Sequence, residues 1–422
     1  MRTTLSTRKS SGVIRIRPTM TTLASVLMLA SISIAKEQPA AAGKQAKSVA
    51  HESASTAVAP DGRVGLGKGL MVTGSRAMVV FPEAVTRNPL VTGFQIPVDW
   101  AETEPHKGKC DWSKIDRLLA ECEKYGKQAA FKFTMVGGKV MTDGQMATHG
   151  KTADEDSERG NSGTPGWLFD DPKIKRLGGM RSPKGRIPLY PVFWDPAYQK
   201  HLEGYITALA ARYDGNPRIE YIRMAGWQVG TNEPSFYGGA SEFLVDQLAA
   251  QGMPKVPEGN KKDLIRGLPG DGPYAKAVIS MIDLWRKHFT KTRLAATIHF
   301  SKEKGSFEEA MMEHCLKNKI MIMNTGLNES DHVESRKQYR EAHDQHGCKV
   351  AWGGITHLGS KRSRVDLEKT GHSLREEAVM QGIGDDGLPG YAPASKVSYL
   401  VFGFDFAEDR QAMQWAAEHL VK

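Results

Sequence analysis

Three consecutive residues, Asn232, Glu233 and Pro234, place an amide, a carboxyl group and a proline at the end of an apolar run that starts at Ile219. A β-branched, apolar run that changes abruptly to small and polar residues is typical of a strand buried on both faces. Pro234 disfavours the helical conformation at Glu233 and so ends the strand. Apolar neighbours such as Trp227 would keep the carboxyl group protonated near neutral pH, which suits a general acid. The alternative is that Glu233 only closes a turn or pairs with a basic side chain.

If Glu233 acts as a general acid together with a base or a nucleophile, the chain must supply a second carboxylate for that role. Other carboxylates at the ends of predicted strands are Asp99, Glu329, Asp331 and Asp405. Asp405 is the most tightly enclosed of these, because it lies between Phe404 and Phe406. We predict Asp405 as the partner of Glu233, with Asp331 as the second candidate. The alternative for Asp405 is that it caps the last helix together with Asp409.

Eight apolar segments predict the strands that must position these groups. They are residues 77–81, 91–100, 127–134, 219–233, 294–300, 320–324, 350–355 and 397–404. Helical patterns separate several of them, at 111–125, from Asp195-Pro196 onward, and at 241–250, 274–290 and 409–420. Residues 136–190 form a long insertion after the third strand, with 164–169 as its apolar anchor.

The alternation of strands and helices predicts an α/β fold, namely a (β/α)8 TIM barrel with a long insertion after strand 3. An open, doubly wound sheet is the alternative. It is disfavoured because no Gly-x-Gly-x-x-Gly follows a predicted strand. In a parallel barrel the carboxyl ends of the strands meet at one rim. We therefore expect a cluster of seven residues there: Asp99, Thr134, Glu233, His299, Asn324, His357 and Asp405.

A passage early in the predicted barrel carries a family resemblance. Residues 94–116, Phe-Gln-Ile-Pro-Val-Asp-Trp-Ala-Glu-Thr-Glu-Pro-His-Lys-Gly-Lys-Cys-Asp-Trp-Ser-Lys-Ile-Asp, resemble the W-x-x-x-E-P-x-x-G-x-(Y/C)-D-W-S-x-(I/L)-D passage of β-galactosidase-like barrel glycoside hydrolases. Thr164-Pro-Gly-Trp, Tyr213-Asp and Asn232-Glu-Pro follow in the order of that clan. The resemblance covers residues 91–234. It implies a sugar-active barrel with Glu233 as general acid/base and Asn232 binding a sugar hydroxyl.

The chain departs from that family at strand seven. Related retaining enzymes carry a nucleophilic glutamate at the end of this strand, whereas the segment from Val350 to His357 contains no carboxylate. Glu376 and Glu377 follow in what the pattern indicates is a solvated helical face. Two functions are therefore predicted. One is a glycoside hydrolase acting on a β-linked sugar; the alternative is a non-catalytic barrel that binds carbohydrate after losing the nucleophile.

Residues with aromatic or polar side chains at strand ends are predicted to bind the sugar. Trp100, Trp227 and Trp352 could stack on sugar rings, although core packing is the alternative for each. Asp99 and His357 could bind hydroxyls. No His-x-x-x-His or carboxylate spacing indicates a metal, and no cofactor is predicted.

The first 35 residues have the pattern of an export signal. They contain no acidic residue, and their small and apolar segment ends in Ser33-Ile34-Ala35. The basic residues in front of that segment are Arg2, Arg8, Lys9, Arg15 and Arg17. The sequence predicts cleavage after Ala35, a disordered leader over 36–64, a barrel domain over 65–422, and a secreted or periplasmic protein without a stable membrane anchor.

The charge balance and the cysteine spacing limit the kinds of ligand and partner that the sequence predicts. The full chain carries 57 basic and 48 acidic residues, and removal of the signal's five basic residues leaves 52 against 48. No basic stripe with interleaved aromatics remains, so nucleic acid is not predicted as a partner and carbohydrate is. Cys110, Cys122, Cys315 and Cys348 have no metal-ligand spacing. An oxidised Cys315–Cys348 pair and buried free thiols are the two alternatives.

Overall fold

Eight parallel strands close into a barrel. They are β1 (Gly69–Thr73), β2 (Gly93–Asp99), β3 (Gln128–Thr134), β4 (Ile219–Arg223), β5 (Leu294–Thr297), β6 (Met321–Asn324), β7 (Val350–Ile355) and β8 (Tyr399–Phe402). Each strand pairs in parallel with its neighbour in chain order, and β8 pairs with β1. The predicted (β/α)8 barrel is confirmed.

This computed structural model describes residues 62–74, 80–136, 163–179, 181–182, 185–186, 189–227, 240–253, 268–298, 304–324, 333–355, 383, 396–403 and 409–420. All of them lie within the unit Glu52–Lys422. The predicted signal segment lies outside the described residues, as does nearly all of the predicted leader.

Helices surround the barrel. They are α1 (Ser113–Lys124), α2 (Pro196–Tyr213), α3 (Ala240–Ala250), α4 (Pro273–His288), α5 (Phe307–Lys317), α6 (Val333–His346) and α7 (Arg410–Glu418). Single helical turns span Glu83–Thr86 and Trp100–Thr103. In the described part of the chain, no helix is long and apolar enough to cross a bilayer.

Helix α2 shows how the sequence sets these elements. Asp195 caps it by accepting a hydrogen bond from the Ala197 N–H at 2.8 Å, and Pro196 occupies the first turn, where its missing N–H costs nothing. The predicted inner face is buried throughout: Tyr198, Leu202, Tyr205, Ile206, Leu209 and Tyr213. Helix α7 begins in the same way, because Asp409 accepts from the Ala412 N–H at 3.1 Å.

Side chains alternate between two cores along each strand, as the pleat requires. On β2, Phe94, Ile96 and Val98 join the large core between strands and helices. The smaller core fills the barrel interior and consists of Met71, Ala130, Tyr221, Ala295, Met321, Met323, Ala351, Tyr399 and Val401. The barrel is therefore solid through its middle, and a binding site inside the barrel must lie at one of its ends.

The insertion after β3 is anchored as predicted by its Thr-Pro-Gly-Trp-Leu-Phe segment. Gly166–Asp170 forms a 3₁₀ helix, and Leu168 and Phe169 are buried. Thr164 Oγ1 donates to the Met135 carbonyl at 3.0 Å, which ties the segment to the end of β3. Two small antiparallel pairs follow, Arg176–Leu177 with Tyr190–Pro191 and Arg181–Ser182 with Gly185–Arg186.

The prediction for the first strand is wrong. The first barrel strand is Gly69–Thr73 rather than 77–81; Val80 and Phe81 lie outside any strand, and 75–79 are not among the described residues. Position 69, the first of the strand, requires glycine because a Cβ there would lie 2.1 Å from Thr92 Oγ1. A glycine required by close packing shortens the apolar signal that identifies a strand in sequence.

The amino ends of the strands are closed by the segment before β1. A bulge in β4 opposite Ala129 and Ala130 gives Glu220 no register partner on β3. The Glu220 carboxylate accepts from the N–H groups of Leu66 and Gly67 at 2.7 and 2.8 Å. This end of the barrel is consequently a closed, hydrogen-bonded floor.

All four cysteines are free thiols in this structure. Cys315 and Cys348 are buried, and the Cys348 thiol donates to the Leu316 carbonyl at 3.7 Å. Burial raises the pKa of Cys348 to about 11, with the nearby Lys319 opposing the shift. The free-thiol alternative therefore describes this structure.

Candidate active site

Polar side chains replace the apolar interior at the carboxyl ends of β2 to β5. Strand alternation puts five of them on the inner wall of the barrel: Asp99, Lys132, Thr134, Arg223 and Thr297. All except the partly exposed Lys132 are buried. We call these five residues the mouth wall. Because a parallel barrel does its chemistry at this end, the mouth wall is the candidate active site.

Arg223 is held rigidly in this wall. Its Nε donates to Thr297 Oγ1 at 2.6 Å, and only 1% of the residue is exposed. Burial raises the pKa of the Tyr221 hydroxyl, and the Arg223 charge acts in the opposite direction. Arg223 is therefore close enough to influence an interior side chain, which agrees with its inward position on β4.

Lys132 and Arg223 are direct neighbours. They are register partners on the parallel strands β3 and β4, and Asp99 is the partner of Thr134, two residues nearer the rim than Lys132. Side chains at paired positions of a sheet project to the same face at close range. The wall thus presents two cations side by side, with one carboxylate on the strand next to them.

Below the mouth wall, toward the middle of the barrel, the side chains of Gln95, Tyr221 and Met323 form a short row of contacts. Gln95 Nε2 donates to the Tyr221 hydroxyl at 3.0 Å and lies 4.0 Å from the Met323 sulfur. All three side chains are buried, and Tyr221 and Met323 belong to the interior core. This row of buried side chains limits how deep a ligand entering from the rim could reach.

The sequence-predicted catalytic residues are outside the described part of the chain. These are Glu233 and Asp405; the predicted sugar-binding residues Asn232 and His357, and His299 of the expected rim cluster, lie outside it as well. The prediction that the fourth strand runs as far as Glu233 is wrong, because β4 ends at Arg223 and residues 224–227 lie outside any strand. β8 ends at Phe402, before Asp405. The roles of these residues accordingly stay predictions.

Two described members of the expected rim cluster, Asp99 and Thr134, do lie together on the mouth wall. Asn324 ends β6 as predicted, but its side chain contacts the Tyr339 hydroxyl of α6. Met321 and Met323 occupy the inward positions of that strand, so Asn324 faces the helices. Of the three expected members that the structure describes, Asp99 and Thr134 lie together and Asn324 faces away from them.

The three tryptophans predicted to stack on sugar are fully buried. The Trp100 ring packs edge-on against Trp167 and Tyr198 at 6.1 Å, and Trp352 packs against Tyr339 at 4.9 Å. Trp227 belongs to the outer core. In this structure all three rings pack as core residues, and stacking on a sugar would require their cover to open.

The passage that carries the family resemblance acts as a scaffold for the mouth. Glu104 accepts from the Trp100 indole N–H and from the Gly108 N–H, both at 2.7 Å. Its carbonyl accepts from the Trp167 indole N–H at 2.8 Å, which attaches the insertion to the loop after β2. Farther along the motif, Asp116 accepts from the Tyr213 hydroxyl at 2.7 Å and so joins α1 to α2.

Sequence reasoning missed Lys132, Arg223 and Thr297. The signal for Lys132 and Arg223 was present, because a charged residue within an apolar strand is expensive to bury without a partner or a ligand. Lys132 interrupts Ala-Ala-Phe-Lys-Phe, and Arg223 interrupts Tyr-Ile-Arg-Met-Ala. Within the described ranges, no group of three or more His, Cys, Asp or Glu side chains could hold a metal ion.

No protein-family model matches this chain, and no curated protein matches it in sequence. Among solved structures, it is similar to the catalytic domain of β-amylase from Paenibacillus polymyxa, with 12% identity, a TM-score of 0.48, and coverage of 84% of this chain and 98% of that one. It is also similar to xylanase B from Clostridium stercorarium F9, with 13% identity, a TM-score of 0.43, and coverage of 80% of this chain and 85% of that one. For the β-galactosidase from Marinomonas ef1 the identity is 11% and the TM-score 0.45, and the match covers 83% of this chain and 58% of that one. These values assign no residue of the mouth.

Proposed function

We propose that the protein is an exported glycoside hydrolase that cleaves a β-linked sugar at the carboxyl end of the barrel. The observation that carries the proposal is the place of Ile219–Arg223 as the fourth of eight parallel barrel strands. The sequence Asn232-Glu-Pro follows that strand in the chain, in the order of the glycoside hydrolases that the passage at 94–116 resembles.

In the proposed reaction Glu233 donates its proton to the glycosidic oxygen as the bond to the sugar breaks. Asp405 takes a proton from a water molecule, whose oxygen bonds to the anomeric carbon on the opposite face. Carboxyl groups about 6.5–9.5 Å apart leave room for this water, whereas about 5–5.5 Å favours a covalent intermediate. Strand seven offers no carboxylate, so we infer the larger separation and inversion of configuration.

The mouth wall supports this assignment with groups that suit a sugar. Asp99 supplies a carboxylate that can accept hydrogen bonds from hydroxyls, and Lys132 supplies an ammonium that can donate them. Asp99 is only 8% exposed, so a hydrogen bond there would form in surroundings with little competing water.

The test is turnover on a panel of aryl β-glycosides and plant or algal polysaccharides, with the anomeric product followed by NMR. Release of a reducing sugar whose first-formed anomer is inverted supports the proposal. Release of the retained anomer would leave a glycosidase but overturn the assignment of Asp405. Absence of turnover on the whole panel would overturn the enzymatic function.

Export is tested separately. Secreted or periplasmic material should begin near Lys36, because Ala35 is the last residue of the proposed signal. A mature protein that begins at Met1, or well beyond Gly65, would contradict this.

The absence of a carboxylate from 350–357 also favours a second candidate, a non-catalytic barrel that binds carbohydrate through the same mouth. Calorimetric binding of an oligosaccharide without its cleavage would identify this function.

A further inference from the structure

We propose that the amino end of the barrel, opposite the mouth, binds reversibly to a membrane surface that contains anionic phospholipids. The binding surface consists of Lys68, Lys291, Lys319, Lys396 and Leu66, and we call it the cationic face. The inference goes beyond the proposed hydrolase and does not rest on it. Binding through the cationic face leaves the mouth, at the opposite end, turned away from the membrane.

The four lysines share one end of the molecule because each precedes a barrel strand. Lys68 directly precedes β1, and Lys319 lies two residues before β6. Lys291 and Lys396 lie three residues before β5 and β8. β5, β6, β8 and β1 are four of five consecutive strands around the barrel. Since parallel strands have their amino ends at the same rim, the four lysines follow one arc of that rim.

The charges of these lysines are available to an outside partner. Lys291 and Lys319 are exposed, and Lys68 and Lys396 are partly exposed. Among the described residues, no carboxylate forms an ion pair with any of the four ammonium groups. An anion that approaches this end therefore meets several cations that no internal ion pair has neutralised.

Two carboxylates at the same end of the barrel are already engaged. Asp214 accepts hydrogen bonds from the N–H groups of residues 290–292. Asp344 contacts His343 Nδ1 at 2.8 Å, and this hydrogen bond and, more weakly, the Lys396 charge hold the pKa of Asp344 below 3.8. Because both carboxylates have partners of their own, the excess charge of the arc stays positive.

Two lysines of the arc occupy backbone positions that favour glycine. Lys319 and Lys396 have φ angles of 53° and 55°, in the left-handed region, and no other described residue except glycine has a positive φ. Lys319 lies just after α5, where the Ile320 N–H donates to the Cys315 carbonyl at 2.9 Å, and glycine is the common residue at such a helix end. A side chain in this conformation lowers stability relative to glycine. Lysine at these positions therefore indicates a role for its charge outside the folding of the chain.

Leu66 favours lipid over other polyanions. Its segment crosses this end of the barrel, because the Val64 N–H donates to the Lys291 carbonyl at 3.2 Å and the Leu66 N–H to Glu220 at 2.7 Å. Leu66 is nonetheless 49% exposed, and Val80 is the only other exposed residue among the described large hydrophobic ones. An apolar side chain among cations suits the boundary between lipid headgroups and acyl chains. A nucleic acid gains little from it, and no described aromatic residue is exposed to stack on a base.

A competing explanation is that the lysines only stabilise the helices that they follow. Cations near a helix C-terminus interact favourably with the helix dipole. On that explanation, loss of Lys319 after α5 lowers stability and leaves lipid binding unchanged. If the lysine serves lipid binding instead, glycine in its place keeps or raises stability and weakens binding.

Binding is measured by co-sedimentation with vesicles of phosphatidylcholine, alone or mixed with phosphatidylglycerol. The variants are Lys319→Gly, Lys396→Gly and their combination. The control combines Lys109→Gln with Lys276→Gln, which removes two exposed lysines at the mouth end, one in the loop after β2 and one in the first turn of α4. The full chain and its form starting at Lys36 are both measured, because the predicted signal segment would itself bind lipid. The shorter form keeps every residue that the structure describes.

Wild type should bind vesicles that contain phosphatidylglycerol about tenfold or more tightly than phosphatidylcholine alone, since each lysine near an anionic surface contributes a factor of about five. Each lysine-to-glycine variant should weaken this binding by about fivefold, while its thermal unfolding midpoint equals the wild-type value or rises. The control pair should change neither quantity.

A second comparison separates lipid from other polyanions. Leu66→Ala should weaken vesicle binding by about fivefold and leave retention on immobilised dextran sulfate unchanged, because only lipid offers the side chain an apolar environment. Val80→Ala removes the other exposed apolar side chain and should alter neither.

Equal binding to the two kinds of vesicle would overturn the inference, and so would an equal loss in the control pair. Lower unfolding midpoints with unchanged binding in the glycine variants would identify helix stabilisation as the role of the lysines. If Leu66→Ala leaves vesicle binding unchanged, the cationic face is a general polyanion site and the assignment to lipid is wrong. Sugar turnover enters none of these measurements, so the proposed hydrolase stands or fails separately.

Discussion

Glu220 and Arg293 form a buried ion pair at the amino end of the barrel, with 2.9 Å between Glu220 Oε1 and Arg293 Nη1. The pair is shielded from water, because the two side chains are 1% and 2% exposed. Tyr399 donates its hydroxyl to the same Oε1 at 2.6 Å, and burial raises the pKa of that hydroxyl. With the Leu66 and Gly67 N–H groups on the carboxylate, the cluster joins β4, β8 and the residue before β5 to the segment before β1.

Substitution of Glu220 should therefore destabilise the whole barrel. Glu220→Gln leaves Arg293 buried without its charge partner, and breaking a buried pair in this way costs about 3–5 kcal/mol. Urea unfolding should show this loss in the free energy of unfolding. Glu123→Gln is the matched control, because Glu123 pairs with Arg218 at 3.6 Å on the surface and should change stability by less than about 0.5 kcal/mol. Equal effects of the two substitutions would contradict the role of the cluster.

Much of the architecture could be predicted because the relevant signals are local. The inner face of α2 follows from a 3.6-residue apolar period, and the start of the helix follows from Asp195 and Pro196. Seven of the eight barrel strands lie in predicted segments, since runs buried on both faces are apolar throughout. β1 was missed because Gly69 is required by close packing against Thr92 and carries no apolar signal.

The candidate site was harder to predict because its signals are not local. Trp100 and Trp352 lie near strand ends in the chain, yet their rings face the helix layer rather than the mouth. That orientation depends on which residue of a strand faces inward. Arg223 gains its meaning only beside Lys132, a partner 91 positions earlier in the chain. Pairing across strands is set by the closed barrel, which a linear pattern does not encode.

The Trp100–Glu104 hydrogen bond should be visible as energetic coupling. Trp100→Phe removes the donor, and Glu104→Gln leaves one acceptor oxygen for the two donors Trp100 Nε1 and Gly108 N–H. Each substitution should cost about 1–3 kcal/mol of unfolding free energy, because a buried polar group loses a partner.

The double variant should lose less than the sum of the two, by about 0.5–3 kcal/mol, in a double-mutant cycle measured by urea unfolding. Strict additivity would show that the contact does not hold the loop after β2. A change in KM without any change in stability for Trp100→Phe would favour the predicted role in sugar stacking.

Asp214 should make stability depend on pH. Partial burial alone would raise the pKa of its carboxyl, but the N–H groups of Thr292, Thr290 and Lys291 donate to it and hold its pKa below the ordinary 3.8. A carboxyl with a lowered pKa in the folded state stabilises the fold above its unfolded pKa, and this contribution disappears as pH falls through the folded value.

Asp214→Asn should consequently be less stable than wild type at pH 7. The difference should narrow as pH falls below about 3.8, the ordinary value for this carboxyl. Urea unfolding from pH 7 to pH 3 measures the difference. Asp246→Asn, at an exposed position of α3, is the control and should follow the wild type throughout. A difference that is constant with pH would rule out the carboxylate as its source.

Asp405→Asn tests the partner carboxylate. If Asp405 activates water, the amide cannot take the proton, and the rate should fall by roughly 10²–10⁴-fold. Azide should then give no glycosyl azide of retained configuration, because that product requires a covalent sugar–enzyme intermediate. Asp331→Asn is the matched comparison and should keep most of the activity. A retained glycosyl azide from Asp405→Asn would instead identify Asp405 as a nucleophile.

Glu233→Gln tests the proton donor and can be read from its dependence on the leaving group. The amide keeps the shape of the side chain but has no proton to give, so a sugar with a poor, basic leaving group should lose roughly 10²–10⁴-fold in kcat/KM. A dinitrophenyl glycoside departs without protonation and should lose much less. Sugar affinity, measured by calorimetry, should change little, and the limb of the pH–rate profile that reports the acid should disappear.

Glu329→Gln is the control and should leave the turnover of both substrates and the pH–rate profile unchanged. Near-normal turnover of the poor leaving group by Glu233→Gln would show that Glu233 is not the acid.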